Sequence, residues 1–227
     1  MLVSHLHRFI YLKTVKTAGT SVEVFLEPYC VAPGHVPKEG RPAESSAHGI
    51  VGERSGHPLL AEWFNHMPAS RVRAAVGEDV WTGYSKICCV RNPFSKVVSW
   101  FHFWVARNDP AIRGLLESGM TAPQVFRLWL TGPTPHVPFD RHVYTLNGRI
   151  VADHVLRFEH LVDDLALACR ALKLPDTDLA RLGHFKKPEP RRTQVAEYYD
   201  DSAIEVVTTL FDFEFSHLGY DRTPERM

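Results

Sequence analysis

A six-residue segment near the beginning of the chain has the composition of an oxyanion cradle. It consists of Lys16, Thr17, Ala18, Gly19, Thr20 and Ser21. Small residues between a strand and a helix leave backbone N–H groups directed at one point, and the positive end of the helix dipole adds to them. The hydroxyl groups supply further donors, and the lysine adds a mobile cation. The segment suits a phosphate or sulfate group, although an ordinary turn with an exposed lysine fits the same residues.

A second candidate anion site follows the apolar run 87–90. Arg91 begins the sequence Arg-Asn-Pro-Phe-Ser and would stand at the carboxyl end of a buried strand. Ligands of open α/β sheets bind at that edge, and a guanidinium can hold a phosphate with two hydrogen bonds. Ser99 follows about two turns along the helix that Pro93 should open, so it can face the same phosphate. Taken alone, the pattern is as typical of a turn with a surface arginine.

The first loop differs from the nucleotide-triphosphatase loop because its lysine precedes its glycine, whereas that motif reads G-x-x-x-x-G-K-[ST]. No acidic strand end in the sequence suits magnesium. A sulfuryl group carries less charge than a phosphoryl group, and its transfer can proceed without a metal where donors and a lysine meet the developing charge. The loop is therefore compatible with sulfuryl transfer without a metal, and we expect no metal site.

Strand-like and helix-like segments alternate, so we expect an α/β fold with a central, mostly parallel sheet flanked by helices. The predicted strands span residues 9–12, 84–90 and 151–158. The predicted helices span 22–26, 69–76, a stretch from Pro93 onward, 125–130, 161–172 and 202–211. The aromatic stripe after Pro93 has core spacing. Residues 30–58 indicate a long loop or lid, and 183–194 a basic loop.

The composition indicates a single domain over residues 1–227, or a domain with an added lobe. Zero formal net charge argues against a broad basic face for nucleic acid or another long polyanion. No apolar run approaches the length of a membrane span. The cysteines lack metal-type spacing, so we predict buried free thiols and a cytoplasmic, reducing location. They are Cys30, Cys88, Cys89 and Cys169.

Taken together, the two motifs resemble the carbohydrate-type sulfotransferases, which include Golgi glycan enzymes, uronyl 2-O-sulfotransferases and bacterial relatives. The chain reads Lys-Thr-Ala-Gly-Thr-Ser after one strand and Val-Arg-Asn-Pro-Phe-Ser-Lys-Val-Val-Ser after another. Residues 153–164 are similar to the family's R-x-E-x-L-x-x-D segment, and Arg191-Arg192, Tyr198-Tyr199-Asp200 and Gly219-Tyr220 resemble its C-terminal part. The likeness covers about residues 8–222.

The resemblance implies a P-loop, nucleotide-kinase-like fold and the donor 3′-phosphoadenosine 5′-phosphosulfate (PAPS), with 3′,5′-adenosine bisphosphate (PAP) as product. It makes Lys16 the catalytic lysine of a 5′-phosphosulfate loop. It assigns the 3′-phosphate to Arg91 and Ser99, and Arg192 would close over the cofactor. One departure stands beside the loop: relatives usually have His-x-Pro where this chain has Lys13, Thr14 and Val15. Lys13 could add charge near the loop or face solvent.

An acceptor hydroxyl needs a base, for which His and Glu are the usual residues. His66 lies about 25 residues ahead of Arg91, and the resemblance places a catalytic histidine at a comparable distance in uronyl enzymes. The segment His-Met-Pro-Ala that begins at His66 also resembles a His-x-Pro-Ala segment of bacterial relatives. We predict His66 as the base, with His48 as the alternative, although His66 could instead cap a helix. His57 and Glu53 are weaker candidates.

The sequence thus predicts a PAPS-dependent sulfotransferase that transfers the sulfuryl group in line to an acceptor hydroxyl. Residues 30–80 would form the variable acceptor and lid region. Zero net charge favours a glycan, glycolipid or small metabolite alcohol over a highly sulfated polymer. Two alternatives remain open at this point. One is a nucleotide or small-molecule kinase, which would need magnesium, and the other is a non-catalytic nucleotide-binding module.

Overall fold

The chain forms two compact units, each built from two separate stretches of sequence. The first contains Met1–Val90 and Asp140–Lys186, and the second contains Arg91–Phe139 and Lys187–Met227. The computed structural model describes residues 1–34, 42–54, 62–133, 137–175, 177–182 and 195–224. Arg192, His57 and the whole predicted basic loop 183–194 lie outside the described residues. The prediction of one domain over 1–227 stays a prediction.

A six-stranded sheet forms the centre of the first unit, and a separate hairpin lies in the same unit. The strands are β1 (Leu2–Ser4), β2 (Phe9–Leu12), β3 (Glu44–Ser45), β4 (Gly49–Val51), β5 (Ser85–Val90), β6 (Thr145–Leu146), β7 (Arg149–Ile150) and β8 (His154–Arg157). The sheet order is β3-β4-β1-β2-β5-β8, and β6 pairs with β7 in the hairpin.

The sheet is mixed rather than mostly parallel. The β2–β5 and β5–β8 pairings are parallel, whereas β1–β2, β1–β4 and β3–β4 are antiparallel. The α/β class with helices flanking a central sheet is confirmed, and the prediction of a mostly parallel sheet is wrong. The prediction fails in the half of the sheet that consists of β1, β3 and β4, because strands of two or three residues show no periodicity in the sequence.

Ten α-helices are present among the described residues. They are α1 (Gly19–Leu26), α2 (Ala69–Val76), α3 (Glu78–Gly83), α4 (Pro93–Ala106), α5 (Pro110–Glu117), α6 (Ala122–Thr131), α7 (Arg141–Tyr144), α8 (Leu161–Ala171), α9 (Asp201–Leu210) and α10 (Asp212–Leu218). The first unit contains α1–α3, α7 and α8, and the second contains the other five, so the second unit is helical in its described part. None of the described helices is long and apolar enough to cross a membrane.

The predicted loop over residues 30–58 contains two strands, so that prediction is wrong over 44–51. β4 pairs with β1 through Leu2 and Val51. Gly49 lies in this stretch, and its missing side chain permits a close backbone contact. A Cβ there would lie 2.0 Å from the Val3 carbonyl oxygen and 2.7 Å from that of Cys30. In this short strand, the glycine therefore allows neighbouring backbone segments to pack closely and does not indicate a flexible chain.

Each unit has its own apolar core. In the first, Phe9 and Tyr11 of β2 pack with Phe25 of α1 and Leu165 of α8. Full burial of such a side chain contributes roughly 1.5–3 kcal/mol. In the second, the predicted aromatic core stripe of α4 is confirmed for Phe94 and Phe101, which are buried against α6 and α9, whereas Trp100, Phe103 and Trp104 are only half-buried. The buried hydrophobic side chains of α4 are Phe94, Val97, Val98 and Phe101.

Candidate functional site

The loop between β2 and α1 holds two non-glycine residues in the left-handed conformation. Lys16 has φ 59° and Ala18 has φ 57°. Each such residue costs about 1–2 kcal/mol, so surrounding contacts must fix it. Ala18 is followed by the first helical residue, and a left-handed residue next to a right-handed one directs successive backbone N–H groups into one concavity. The N-cap residue of α1 is Ala18, and no side-chain hydrogen bond from it caps this end of the helix.

Gly19 contributes close packing rather than a special backbone angle. It is the first residue of α1 and is not among the residues with positive φ. A Cβ on Gly19 would lie 3.0 Å from Lys13 Cγ and 3.1 Å from the Thr14 carbonyl oxygen. The glycine therefore lets the start of α1 lie directly against the segment that leaves β2.

Hydrogen bonds hold the segment before Lys16 in place. The Thr14 hydroxyl donates to the Cys89 carbonyl at 2.5 Å, so the Thr17 hydroxyl is the donor in its 2.8 Å bond to Thr14 Oγ1. Thr17 is fully buried, and its hydroxyl is directed into the protein rather than towards a ligand. The Val15 N–H donates to Asp140 Oδ2 at 2.6 Å. Thr17 therefore serves the loop's shape, and its backbone N–H is its remaining donor towards an anion.

Lys13 is buried and does not face solvent. Its Nζ lies 2.6 Å from Glu23 Oε2, and Glu23 also contacts Arg54 Nε at 2.8 Å and the Met1 amino group at 2.8 Å. Burial alone would raise the Glu23 pKa, but these cations outweigh it and lower the pKa to about 2. Arg54 also pairs with Glu27. The charge of Lys13 is thus matched by a carboxylate of α1, beneath the loop.

His66 lies beside the loop. Its Nδ1 is 3.0 Å from the Lys13 carbonyl oxygen, which can only accept, so Nδ1 carries the hydrogen and Nε2 keeps a lone pair. Burial, followed by the charge of Lys13, lowers the His66 pKa from 6.5 to about 4. The ring is therefore neutral at pH 7. His66 does not cap a helix, because Pro68 is the N-cap of α2 and no side chain caps it.

His48 and Glu53 occupy other positions in the first unit. His48 is exposed, and its carbonyl accepts from His5 N–H at 2.9 Å. Because Ser4 pairs with both Gly49 and Phe9, this places His48 beside the start of β2, whereas the loop follows the end of β2. Glu53 is buried and accepts from the Ala43 N–H at 3.0 Å. Of the two candidate histidines, His66 is the one at the edge of the sheet that carries the loop.

A pocket of about 310 Å³ adjoins the loop within the first unit. Ala18 and Ser21 line one side, and the turn between β8 and α8 lines the other. This turn is the segment that resembles R-x-E-x-L-x-x-D. Asp164, the last residue of that pattern, accepts from the N–H of Arg157, the first, at 2.7 Å. The two ends of this turn are therefore hydrogen-bonded to each other, and residues 158–163 between them line the pocket.

The second motif lies at the start of the second unit. Asn92 is the N-cap of α4, where its side chain accepts from Phe94 N–H at 3.0 Å and Ser95 N–H at 3.4 Å. Pro93 occupies the first helical position, so Asn-Pro builds the helix start. Arg91 directly follows β5 and is 9% exposed, and Ser99 is 4% exposed. Their assignment to a phosphate stays a prediction, as does that of Arg192.

The predicted buried free thiols are confirmed for all four cysteines. Burial raises the Cys89 pKa to about 12, which leaves no thiolate at neutral pH. Among the described residues, no group of three or more His, Cys, Asp or Glu could hold a metal ion. Sequence reasoning missed Asp140 and Glu23. Glu23 gave a weak signal as a carboxylate within the apolar run of α1, and Asp140 gave none.

No protein-family model matches this chain, and neither a curated protein nor a solved structure is significantly similar to it.

Proposed function

We propose that the chain is a sulfotransferase that transfers a sulfuryl group from PAPS to an acceptor hydroxyl. The observation that carries the proposal is the pair of left-handed residues, Lys16 and Ala18, that lead into the uncapped start of α1. A loop of this form offers backbone N–H groups to an oxyanion, and strain kept in non-glycine residues is concentrated at functional sites. The resemblance in sequence supplies the identity of the anion.

In the proposed reaction, the acceptor oxygen attacks sulfur as the bond from sulfur to the 5′-phosphate oxygen breaks. Lys16 and the loop N–H groups stabilise the charge on the transferred group and on the leaving phosphate oxygen. His66 Nε2 takes the acceptor proton, since its lone pair is left available by the bond from Nδ1 to Lys13. PAP and the sulfated acceptor are the products.

The rest of the donor would occupy sites beside the loop. The pocket lined by Ala18, Ser21 and Phe158 has room for part of a nucleoside. The 3′-phosphate is assigned to Arg91 and Ser99, with Arg192 closing over it, from the resemblance. A P-loop, nucleotide-kinase-like fold and a glycan, glycolipid or small alcohol acceptor belong to the same proposal. No metal is required in this scheme, because Lys16 and the loop N–H groups supply the positive charge.

The test is transfer of sulfur-35 from labelled PAPS to a panel of acceptor alcohols in the presence of EDTA. Lys16→Ala should reduce transfer by about 10²-fold or more while the melting temperature stays unchanged, because the cation at the leaving oxygen is lost. The matched control is Lys173→Ala, since Lys173 is an exposed lysine that also has positive φ, 52°. It should transfer at the wild-type rate.

Near-normal transfer by Lys16→Ala would remove Lys16 from the mechanism. Transfer of a phosphoryl group from ATP with magnesium, without sulfuryl transfer, would make the chain a kinase. Nucleotide binding with neither activity would make it a binding module.

A further inference from the structure

Asp140 occupies a helix-capping position without capping its helix. It is the N-cap residue of α7, where an aspartate usually accepts from the N–H groups of the first turn. No such bond is made by its side chain, which is 2% exposed. A buried carboxylate that does not accept from the N–H groups of its own helix needs another hydrogen-bond partner.

One of its partners is the loop between β2 and α1, called the donor loop from here on because the proposed function assigns the sulfate donor to it. Asp140 Oδ2 accepts from the Val15 N–H at 2.6 Å, between residues 125 apart in sequence. Val15 directly precedes Lys16. A charged acceptor makes this a stronger bond than one between neutral groups. Asp140 thus fixes the orientation of the peptide group that leads into Lys16.

The bond completes a set that holds three consecutive residues. The Lys13 carbonyl accepts from His66, the Thr14 hydroxyl donates to the Cys89 carbonyl, and the Val15 N–H donates to Asp140. Lys16, with φ 59°, comes next. A left-handed lysine persists where the preceding backbone is fixed from several directions. Asp140 is itself firmly placed, because Val143 and Tyr144 of α7 are buried.

We propose that Asp140 is a positioning residue of the donor loop, acting through the Val15 N–H and making no contact with the donor itself. The role rests on the proposed function. It requires an acceptor oxygen at this position. The negative charge of Asp140 acts separately on His66, where it opposes the lowering of the pKa. Removing the charge should therefore have little effect on PAP binding, whereas displacing the oxygen should weaken it.

The experiment compares Asp140→Ala, Asp140→Asn and Asp140→Glu by hydrogen exchange of the Val15 amide and by PAP binding and PAPS kinetics. Asp140→Ala should speed Val15 exchange and weaken PAP binding roughly tenfold or more, since a bond to a charged group is lost. The KM of the acceptor should not change. Asp140→Asn keeps an acceptor oxygen and should bind PAP within about threefold of wild type. Asp140→Glu keeps the charge but displaces the oxygen, and it should behave like Asp140→Ala.

The matched control is Asp109→Ala. Asp109 is the N-cap of α5, and its Oδ1 accepts from Ala111 and Ile112 N–H, both at 3.1 Å. Its loss should lower the melting temperature by about 2–4 °C without changing PAP binding. The proposal is overturned if Val15 exchange is unchanged in Asp140→Ala, or if Asp140→Asn is as impaired as Asp140→Ala. Should Asp140→Ala not fold, wild-type PAP binding by Asp140→Glu overturns it.

A failure of the proposed role of Asp140 can be distinguished from a failure of the proposed function. A wild-type protein that neither binds PAP nor transfers sulfate contradicts the function. Val15 exchange in the variants would still show whether Asp140 holds the loop.

Discussion

At the scale of single residues, the tautomer of His66 is set by a backbone carbonyl. The Lys13 oxygen accepts from Nδ1, so the lone pair is on Nε2. The lowered pKa, about 4, keeps the ring neutral at pH 7 but makes it a weak base when no ligand is present. A bound, negatively charged donor would raise that pKa, because nearby negative charge favours the imidazolium. Donor binding would then strengthen the base when it is needed.

His66→Gln should lower turnover by about 10²-fold, since an amide cannot take the acceptor proton. The measurement is kcat at pH 7.5 with saturating PAPS. The matched control, His48→Gln, changes a histidine at the other edge of the sheet and should leave kcat unchanged. A loss of turnover in His48→Gln with none in His66→Gln would assign the base to His48.

At the scale of secondary-structure elements, the sequence predicts those with clear periodicity or end signals. β2 and α2 have the predicted bounds, and β5 differs by one residue. β1, β3 and β4 were missed, because strands of two or three residues carry no pattern in the sequence. The sequence predicted the part of the site that lies within one continuous segment, which is the loop containing Lys16. Asp140 reaches its partner across 125 residues, and nothing local in the sequence indicates such a contact.

Gly19→Ala should displace the loop, because the new Cβ would meet the Thr14 carbonyl oxygen at 3.1 Å. We expect a loss of about 1–3 kcal/mol in unfolding free energy and weaker PAP binding. The matched control is Gly114→Ala in α5, where nothing lies within 4 Å of the added methyl group. That change should be neutral or stabilise by about 0.5–1 kcal/mol, since alanine is the better helix former. Both are measured by urea unfolding and PAP titration. Equal effects of the two substitutions would contradict the packing role of Gly19.

At the scale of the whole molecule, the formal net charge is zero, yet the first unit contains a buried cluster of charged residues. Lys13, at the end of β2, and Arg54, after β4, converge on Glu23 of α1. The cluster connects the start of the loop to two other parts of the unit. Removing one member of a buried ion pair leaves an uncompensated charge and typically costs about 3–5 kcal/mol. The fold therefore depends on the same contacts that shape the loop.

Glu23→Gln should lower the unfolding free energy at pH 7 by about 3–5 kcal/mol and reduce its acid dependence. The folded-state pKa of Glu23, about 2, lies below its ordinary 4.5. Its contribution is therefore complete above pH 4.5 and is lost as the pH falls towards 2. The measurement is urea unfolding at several pH values in that window and at pH 7.

The matched control is Glu78→Gln. Glu78 forms an exposed ion pair with Arg73, with Oε2 of Glu78 2.8 Å from Nε of Arg73. Its substitution should lower the unfolding free energy by less than about 1 kcal/mol. Equal losses from the two substitutions would show that the buried cluster contributes no more than a surface pair.

In the proposed function, the protein binds a sulfate donor through its loop and a 3′-phosphate site, without metal. Isothermal titration of PAP into the wild-type protein in EDTA tests it most directly. We expect saturable binding of PAP with one site per chain, and weaker binding of adenosine 5′-phosphate, which lacks the 3′-phosphate. Binding of ATP with magnesium, together with no heat from PAP, would contradict it.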